Sequence, residues 1–393
     1  MSLGQMNDGR LIFSQVMDLV HREQLDRCLK MYPMPRASRS FSGRDQFLTM
    51  AFAQMTFREG LRDIEACLRG SRHLYAMGIR GTVTRTNLAY ANEFRDWRVF
   101  AALAQVLIRK ARRLYGPQDR ELPIEEIVYA LDSTTIDLCL SLFPWADFRP
   151  TKAAIKMHTM IDLCGSIPVF ISITDGSVHD VNILDEIVPE PASIYLMDRG
   201  YVDFARLHRI HDAQAFFVVR AKTNLSFYVV QSRPVDRSGG LGCDQIIRFK
   251  GTRSKKLYPD KLRRVSLRDP ETGKHLVFLT NHLGLSASTI AALYKSRWHI
   301  ELFFKWIKQN LRIKSFFGTS ENAVKTQIWI AICVYLLVAC LKKIHQIPES
   351  LGRILQVLSI NVFQKDLLHQ LLTDFETTNH LTLHCNQLTF KDF

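Results

Sequence analysis

The chain has 393 residues, 47% of them hydrophobic, and its 52 Lys or Arg against 38 Asp or Glu give a formal charge of +14. So apolar a composition excludes an intrinsically disordered chain, and the length is enough for two or three domains with substantial cores. The positive charge favours a polyanionic partner, most often nucleic acid, although an ordinary basic surface gives the same total.

The first third of the chain holds most of this surplus. Residues 1–120 contain 20 Lys or Arg and 11 Asp or Glu, and only Lys30 and Lys110 of these bases are lysines. Arginine forms forked contacts with phosphates and guanine edges. Apolar residues at helical spacing predict helices throughout this part, which ends at Gly116-Pro117. We therefore predict an all-α DNA-binding domain over residues 1–117.

Residues 84–96 are the best candidate for a DNA-reading helix. They follow a turn with Gly78 and Gly81, and a second helix is predicted just before that turn, over residues 60–69. The pair is typical of a helix-turn-helix in which Arg85 and Asn87 read a groove, although an ordinary helical hairpin fits equally well.

Beyond Pro117 the apolar pattern changes from helical spacing to that of strands. Three antiparallel strands are followed by two that return in parallel through crossovers, which indicates a mixed five-stranded α/β sheet. A segment with a Gly-rich turn and a basic run then interrupts the pattern, and we read it as a β-rich insertion. The predicted boundaries are 118–222 and 286–345 for the two parts of the catalytic core, 223–285 for the insertion and 346–393 for a C-terminal helical tail.

Three acidic residues far apart in the chain are predicted to meet. Asp132 lies on the first strand and Asp198 at the end of the fourth, so parallel pairing of these strands would place the two carboxylates side by side. Glu301 lies on a helix predicted over 294–308, which would pack over the same edge. Three oxygen donors suit Mg²⁺ or Mn²⁺ better than zinc, and two such ions can drive phosphodiester cleavage.

The predicted helix 294–308 is apolar around its circumference, so we expect it to be buried. Its polar residues share one narrow arc, which predicts that they face a metal or an anion. The alternative is that Glu301 pairs within the helix, with Arg297 or Lys305. The side chains predicted to contact DNA near the acids are Tyr294, Arg297, Lys308, Lys152 and Lys156.

Other polar residues are interpreted as structural. Asp162 ends an antiparallel strand and should lie away from Asp132. His179 and Asp180 are expected to serve a loop or a cap, and Ser133 to form a structural hydrogen bond, because no histidine is spaced to activate it as a nucleophile.

The spacing Tyr294-x2-Arg297-x3-Glu301-x6-Lys308 resembles the Y-x2-R-x3-E-x6-K signature of bacterial insertion-sequence DDE transposases. Asp132-Ser133-Thr134 and Asp198-Arg199-Gly200-Tyr201 are similar to the two acidic motifs of that group. The resemblance implies a ribonuclease-H-like fold with a β-rich insertion and a catalytic, metal-binding triad of Asp132, Asp198 and Glu301. It also implies cut-and-paste transposition of double-stranded DNA by a homodimer, with Tyr294, Arg297 and Lys308 near the cut, around a flipped base.

Two alternatives remain open: a nuclease of the same fold that cuts without joining, and a non-catalytic DNA-binding protein that has kept the scaffold. The eight cysteines include no C-x2-C pair, which argues against a zinc site and for a reducing compartment. The longest uncharged apolar run, residues 328–341, is too short to span a bilayer and predicts a core helix. We therefore expect a cytoplasmic, nucleoid-associated protein without membrane contact.

Overall fold

The computed structural model describes residues 9–34, 40–149, 152–237, 239–269, 272–310 and 316–373. Residues 374–393 of the predicted tail lie outside these ranges. The chain forms two compact units, one of residues 115–305 and one of residues 1–114 together with 306–393.

The second unit is helical, as predicted for its N-terminal part. Its six N-terminal helices are α1 (Ile12–Met17), α2 (Arg22–Met31), α3 (Gly43–Met55), α4 (Leu61–Arg69), α5 (Arg85–Phe94) and α6 (Arg98–Leu114). Serine and aspartate fix the start of α3, because the Asp45 N–H donates to Ser42 Oγ at 3.1 Å and the Ser42 N–H donates to Asp45 Oδ2 at 2.9 Å. Residues 70–84 separate α4 from α5, which is far longer than the turn of about three or four residues in a helix-turn-helix. The two predicted helices are present and contact each other, and groove reading by α5 stays a prediction.

The core of this unit comes from the C-terminal part of the chain. Helix α11 (Glu321–Ile344) is buried over most of its length and packs against α3 and α6. It is long and apolar enough to cross a membrane, but 94% of its most apolar window is buried inside the protein, as in a core helix. The predicted core helix is confirmed, and within its unit it packs with the N-terminal helices. The sequences that follow form α12 (Leu351–Asn361) and α13 (Leu368–Thr373).

The other unit is built on one large mixed sheet. Its strands are β1 (Ile127–Leu138), β2 (Asp147–Arg149), β3 (Lys152–Asp162), β4 (Ile167–Asp175), β5 (Ser193–Met197), β6 (Phe216–Arg220), β7 (Phe227–Arg233), β8 (Leu241–Phe249), β9 (Leu262–Arg268) and β10 (His275–Thr280). The order is β2-β3-β1-β5-β6-β10-β9-β8-β7, with β4 also paired to β3. The five predicted strands form the contiguous part β4-β3-β1-β5-β6. Antiparallel β1, β3 and β4 joined to parallel β1, β5 and β6 make up the predicted ribonuclease-H-like core.

The prediction of only five strands in the sheet was wrong. The β-rich insertion does not form a sheet of its own, because β10 pairs antiparallel with β6 and carries β9, β8 and β7 outward from it. Without β10 the outer edge of β6 would carry unpaired N–H and C=O groups, and such an edge accepts another strand.

The helices of this unit are α7 (Phe204–Asp212), α8 (Thr252–Leu257) and α9 (Ala287–Ser296), and α10 (Trp298–Asn310) leads out of it. The predicted helix 294–308 is thus two helices that meet at Arg297. Its predicted burial on all sides was also wrong, since Trp298 is 56% and Leu302 43% exposed. One apolar face is enough to hold α10 in place, and its buried members are Ile300, Phe303, Phe304 and Ile307.

Candidate active site

The register of the sheet fixes the positions of two of the three predicted acids. Strands β1 and β5 pair in parallel with Leu131 opposite Met197, and the next residues are Asp132 and Asp198. Side chains alternate along a strand, so Asp132 lies on the face opposite Leu131, whose side chain packs in the apolar core. At the end of β5, Asp198 caps the short turn 199–201 by accepting a hydrogen bond from the Gly200 N–H.

Arg297 joins the third acid to the first. Its Nη1 donates to Asp132 Oδ2 at 2.8 Å and its Nη2 donates to Glu301 Oε1 at 2.6 Å. The arginine is largely buried, with 15% of its side chain exposed. One guanidinium therefore holds two carboxylates that are far apart in the sequence. The alternative pairing of Glu301 with Arg297 is thus present, and it is part of the acid cluster.

The break between α9 and α10 gives Arg297 this position. Its N–H bonds to Tyr294 O at 3.3 Å, three residues back, and its carbonyl accepts from the Ile300 N–H at 3.1 Å. Such tightened bonds end one helix and begin the next. The Tyr294 ring packs on Phe278 of β10, with 4.6 Å between ring centroids, and the Arg297 guanidinium lies 5.7 Å from the Tyr294 ring.

The surroundings of Asp132 carry more negative than positive charge. Burial is the largest cause that raises the pKa of its carboxyl group to about 6, and the negative charges of Asp198 and Glu301 contribute to the same rise. A hydrogen bond from the Ser133 N–H, at 2.8 Å, and the charge of Arg297 oppose this shift. A cation near the three acids would remove the penalty, because the carboxylates repel one another when ionised.

Asp180 contacts the residue that follows Asp132 in β1, although we predicted a loop or capping role for it. Ser133 Oγ donates to Asp180 Oδ1 at 2.8 Å, and Lys156 Nζ lies 3.2 Å from the same oxygen. The predicted structural hydrogen bond of Ser133 is therefore confirmed, with Asp180 as its partner. A signal for this contact was present in the sequence, because the β3-β4 hairpin returns the chain after β4 to the neighbourhood of Lys156.

The tyrosine of the second acidic motif is a neighbour of the acids for which no role was predicted. Tyr201 is nearly fully buried at the turn that follows Asp198. Burial raises the pKa of its hydroxyl well above the usual value, and the charges of Asp132, Asp180 and Asp198 add to the effect. The phenol therefore stays neutral beside the acids.

The side chains predicted to bind DNA are distributed more widely. Lys156 also donates to Val178 O at 2.7 Å, so its ammonium group is held between that carbonyl and Asp180, whereas Lys152 is exposed at the start of β3. Lys308 lies near the end of α10. In the helical unit, Arg85 is exposed at the first turn of α5, and Asn87 Nδ2 donates to Thr82 O at 2.8 Å.

Asp162 lies outside the cluster, as predicted. It is opposite Tyr129 in the β1-β3 pair, three residues before Asp132, and its Oδ1 accepts the Cys164 N–H at 2.9 Å. With Asp162 excluded, the candidate metal ligands are the carboxylates of Asp132, Asp198 and Glu301. Such oxygen ligands fit Mg²⁺ or Mn²⁺.

Comparison with known proteins agrees with this arrangement. Residues 123–337 match the family model described as the transposase DDE domain, and residues 8–80 match a domain described as DUF4372, of unknown function.

Three relatives match most of the chain. Transposase y4zB, so assigned in Sinorhizobium fredii, is 33% identical over 71% of this chain and 77% of its own. The protein assigned as transposase of insertion sequence element IS5377 of Geobacillus stearothermophilus is 30% identical over 61% of this chain and 62% of its own. The protein assigned as transposase of insertion sequence element IS4SA of Synechocystis is 27% identical over 70% of this chain and 76% of its own.

Among solved structures, the piggyBac transposase synaptic complex with hairpin DNA aligns with 96% of this chain and 81% of its own. The TM-score is 0.44 and the sequence identity is 11%.

Proposed function

Because the chain belongs to the family of DDE transposases, we propose that it binds the ends of an insertion sequence, cuts the DNA there and joins the freed 3′-hydroxyl ends to target DNA. We also assign it to the Y-x2-R-x3-E-x6-K group. The observation that carries this proposal is the single guanidinium shared by Asp132 and Glu301, beside the parallel strand end that bears Asp198.

Asp132, Asp198 and Glu301 are the residues that would hold divalent metal ions, and we propose two ions, with Mg²⁺ or Mn²⁺ both acceptable. Such ions, when bound, polarise the scissile phosphate and activate the attacking oxygen. The carboxylates supply the negative charge that keeps the ions at this edge of the sheet. Ser133 and Asp180 help to fix the direction of the strand that carries Asp132.

We infer that Arg297 changes partner when the site is loaded. In the present arrangement its Nε is buried with no acceptor among the described residues, so the guanidinium is not fully satisfied. A metal ion would take over the neutralisation of Asp132 and Glu301. The guanidinium is then available to a phosphate of the cut strand, with which it can form a forked contact. Tyr294, packed below it, would support a displaced base.

Further DNA contacts are proposed for Lys152, Lys156 and Lys308 around the cut and for Arg85 and Asn87 at the element end. Cut-and-paste transposition needs two ends at once, so we propose a homodimer on DNA and a cytoplasmic location at the nucleoid.

The test uses DNA that carries the inverted repeats flanking the coding sequence. We expect Mg²⁺-dependent nicking at the repeat boundary by the wild type, no nicking by Glu301→Gln, and wild-type nicking by Glu186→Gln, a change at an exposed glutamate of the same unit. Equal cleavage by the wild type and Glu301→Gln would refute the role of Glu301.

A target plasmid in the same reaction separates the alternative functions. Joined product supports the transposase, and cut ends without joined product identify a nuclease. Binding without cleavage in either Mg²⁺ or Mn²⁺ identifies a DNA-binding protein that has kept the scaffold.

A further inference from the structure

A second group of metal-ligating side chains lies on α7. His208 and His211 are three residues apart and thus on one face of the helix, and Asp260 comes just before β9. One potential ligand atom from each of the three lies within 4.8 Å of the others. His208 Nε2 is 3.0 Å and His211 Nδ1 is 3.9 Å from Asp260 Oδ2.

Neighbouring groups orient both imidazoles. Asp212 Oδ2 lies 3.0 Å from His208 Nδ1, on the side of the ring away from Asp260. Such a carboxylate–histidine contact directs the other ring nitrogen of a metal ligand. The buried Tyr258 lies with its hydroxyl 2.9 Å from His211 Nδ1. With that hydroxyl donating, Nδ1 of His211 is the unprotonated nitrogen, and its lone pair accepts the Tyr258 O–H until an ion replaces it.

The contact between His208 and Asp260 needs a positive charge. A neutral imidazole has one N–H and one lone pair. If Asp212 accepts the Nδ1 proton, the Nε2 lone pair of His208 faces a carboxylate oxygen of Asp260. Two facing lone pairs repel unless a metal ion or a second proton lies between them.

We propose that His208, His211 and Asp260 bind a transition-metal dication of the Zn²⁺ class. Two nitrogens and one carboxylate oxygen suit Zn²⁺ and its neighbours, whereas Mg²⁺ prefers oxygen ligands only. The site is separate from the acids of Asp132, Asp198 and Glu301. Three protein ligands leave further positions to water, and the Tyr258 hydroxyl turns away from Nδ1 when the ion binds.

The site would tie the β-rich insertion to the ribonuclease-H-like core. His208 and His211 belong to the helix between β5 and β6, while Asp260 belongs to the insertion between β8 and β9. An ion held by both restrains the intervening chain. Ligand binding to the folded state alone stabilises that state, so the ion should raise the melting temperature without taking part in DNA cleavage.

The test is isothermal titration of untagged, EDTA-dialysed full-length protein with ZnCl₂, in excess Mg²⁺ to occupy the carboxylate site. We expect one Zn²⁺ site in the wild type, at least about tenfold weaker binding in His208→Asn and Asp260→Asn, and a smaller loss in Asp212→Asn. His275→Asn, at an exposed histidine of β10, should bind as the wild type does.

Asp132→Asn serves to distinguish this site from the proposed active site, since it should bind Zn²⁺ normally even if the transposase proposal fails. Electron paramagnetic resonance of Cu²⁺ bound to the wild type gives a second measurement that needs no variant. Nitrogen hyperfine lines that disappear on adding Zn²⁺ support the site. Zn²⁺ affinity that survives in His208→Asn and Asp260→Asn, or a Cu²⁺ spectrum without nitrogen lines, would overturn it and leave a protonated His208 as the explanation.

Discussion

Arg297 and Asp132 are 165 positions apart in the chain, and the guanidinium Nη1 of one lies 2.8 Å from the carboxylate Oδ2 of the other. The same guanidinium reaches Glu301 at 2.6 Å. A cation of the protein itself therefore holds together acids that the proposed function assigns to a metal. Metal and arginine compete for the same charges, and the first prediction tests this competition.

We predict that Arg297→Ala destabilises the metal-free protein by about 2 kcal/mol, because it leaves partly buried carboxylates without their partner. Added Mg²⁺ should restore more stability to the variant than to the wild type, since no guanidinium has to be displaced. Urea denaturation in EDTA and in Mg²⁺ measures both effects. Lys305→Ala, which removes an exposed charge from α10, is the control. A loss of the same size with and without Mg²⁺ would contradict the competition.

The second prediction concerns pH. The pKa of Asp132 is raised to about 6 in the folded protein, from its ordinary value of 3.8. The folded state therefore binds this proton more tightly than the unfolded chain does, and the stability so gained is lost as pH rises from about 4 to 6. In EDTA we expect the unfolding free energy of the wild type to fall by on the order of 2 kcal/mol more across this range than that of Asp132→Asn. Unfolding free energies from pH 4 to 7 measure the difference, and parallel profiles would show that Asp132 titrates normally.

The affinity for Mg²⁺ should also depend on the protonation of Asp132, but it should increase with pH, whereas the stability decreases. The metal needs the carboxylate, so affinity should rise as pH increases through 6 and then level off. Calorimetric titration at pH 5, 6 and 7 measures the trend. An affinity independent of pH would place the metal elsewhere.

Asp180 is predicted to act through Asp132 rather than on DNA. Asp180→Asn weakens the contacts to Ser133 and Lys156, so it should lower the cleavage rate by about 10–100-fold while DNA affinity changes little. Single-turnover cleavage and filter binding separate the two quantities. Asp137→Asn, at an exposed position further along β1, is the matched control. Equal losses of affinity and rate would assign Asp180 to DNA binding.

A buried ion pair in the β-rich insertion gives a prediction about stability alone. Arg263 and Asp244 form two hydrogen bonds of 2.8 Å and are 2% and 5% exposed. Asp244→Ala leaves the buried guanidinium of Arg263 without its carboxylate and should lower the free energy of unfolding by about 3–5 kcal/mol. Arg268→Ala, exposed on the same strand as Arg263, should cost little. Thermal denaturation measures both, and similar melting temperatures would show that water reaches Arg263.

Local patterns were enough to predict the core of the sheet. Asp132 lies within the first strand and Asp198 follows the fourth, and the one parallel arrangement of these strands that a right-handed crossover permits is the one that β1 and β5 adopt. The contact between Arg297 and Asp132 was harder to predict. The positions of side chains around the helix were derived for one unbroken helix, whereas the helix breaks at residue 297. That break depends on packing around Tyr294, which no single stretch of sequence encodes.

Long-range pairings explain the other errors. Nothing local in residues 275–280 specifies that they extend the sheet beyond β6, since any exposed edge would accept them. Asp180 was assigned to a loop because its nearest neighbours in sequence are loop residues. Its contacts, Ser133 and Lys156, come from strands more than twenty residues earlier.

The central place of α11 in the helical unit affects how the protein can be made. Residues 1–114 leave the ribosome long before α11, yet α3 and α6 are covered only once that helix is present. A polypeptide shortened by a frameshift or a premature stop before α11 keeps these apolar faces exposed, and cellular proteases degrade such chains readily. Interrupted copies of the gene would therefore yield little product able to occupy DNA ends in place of the intact enzyme.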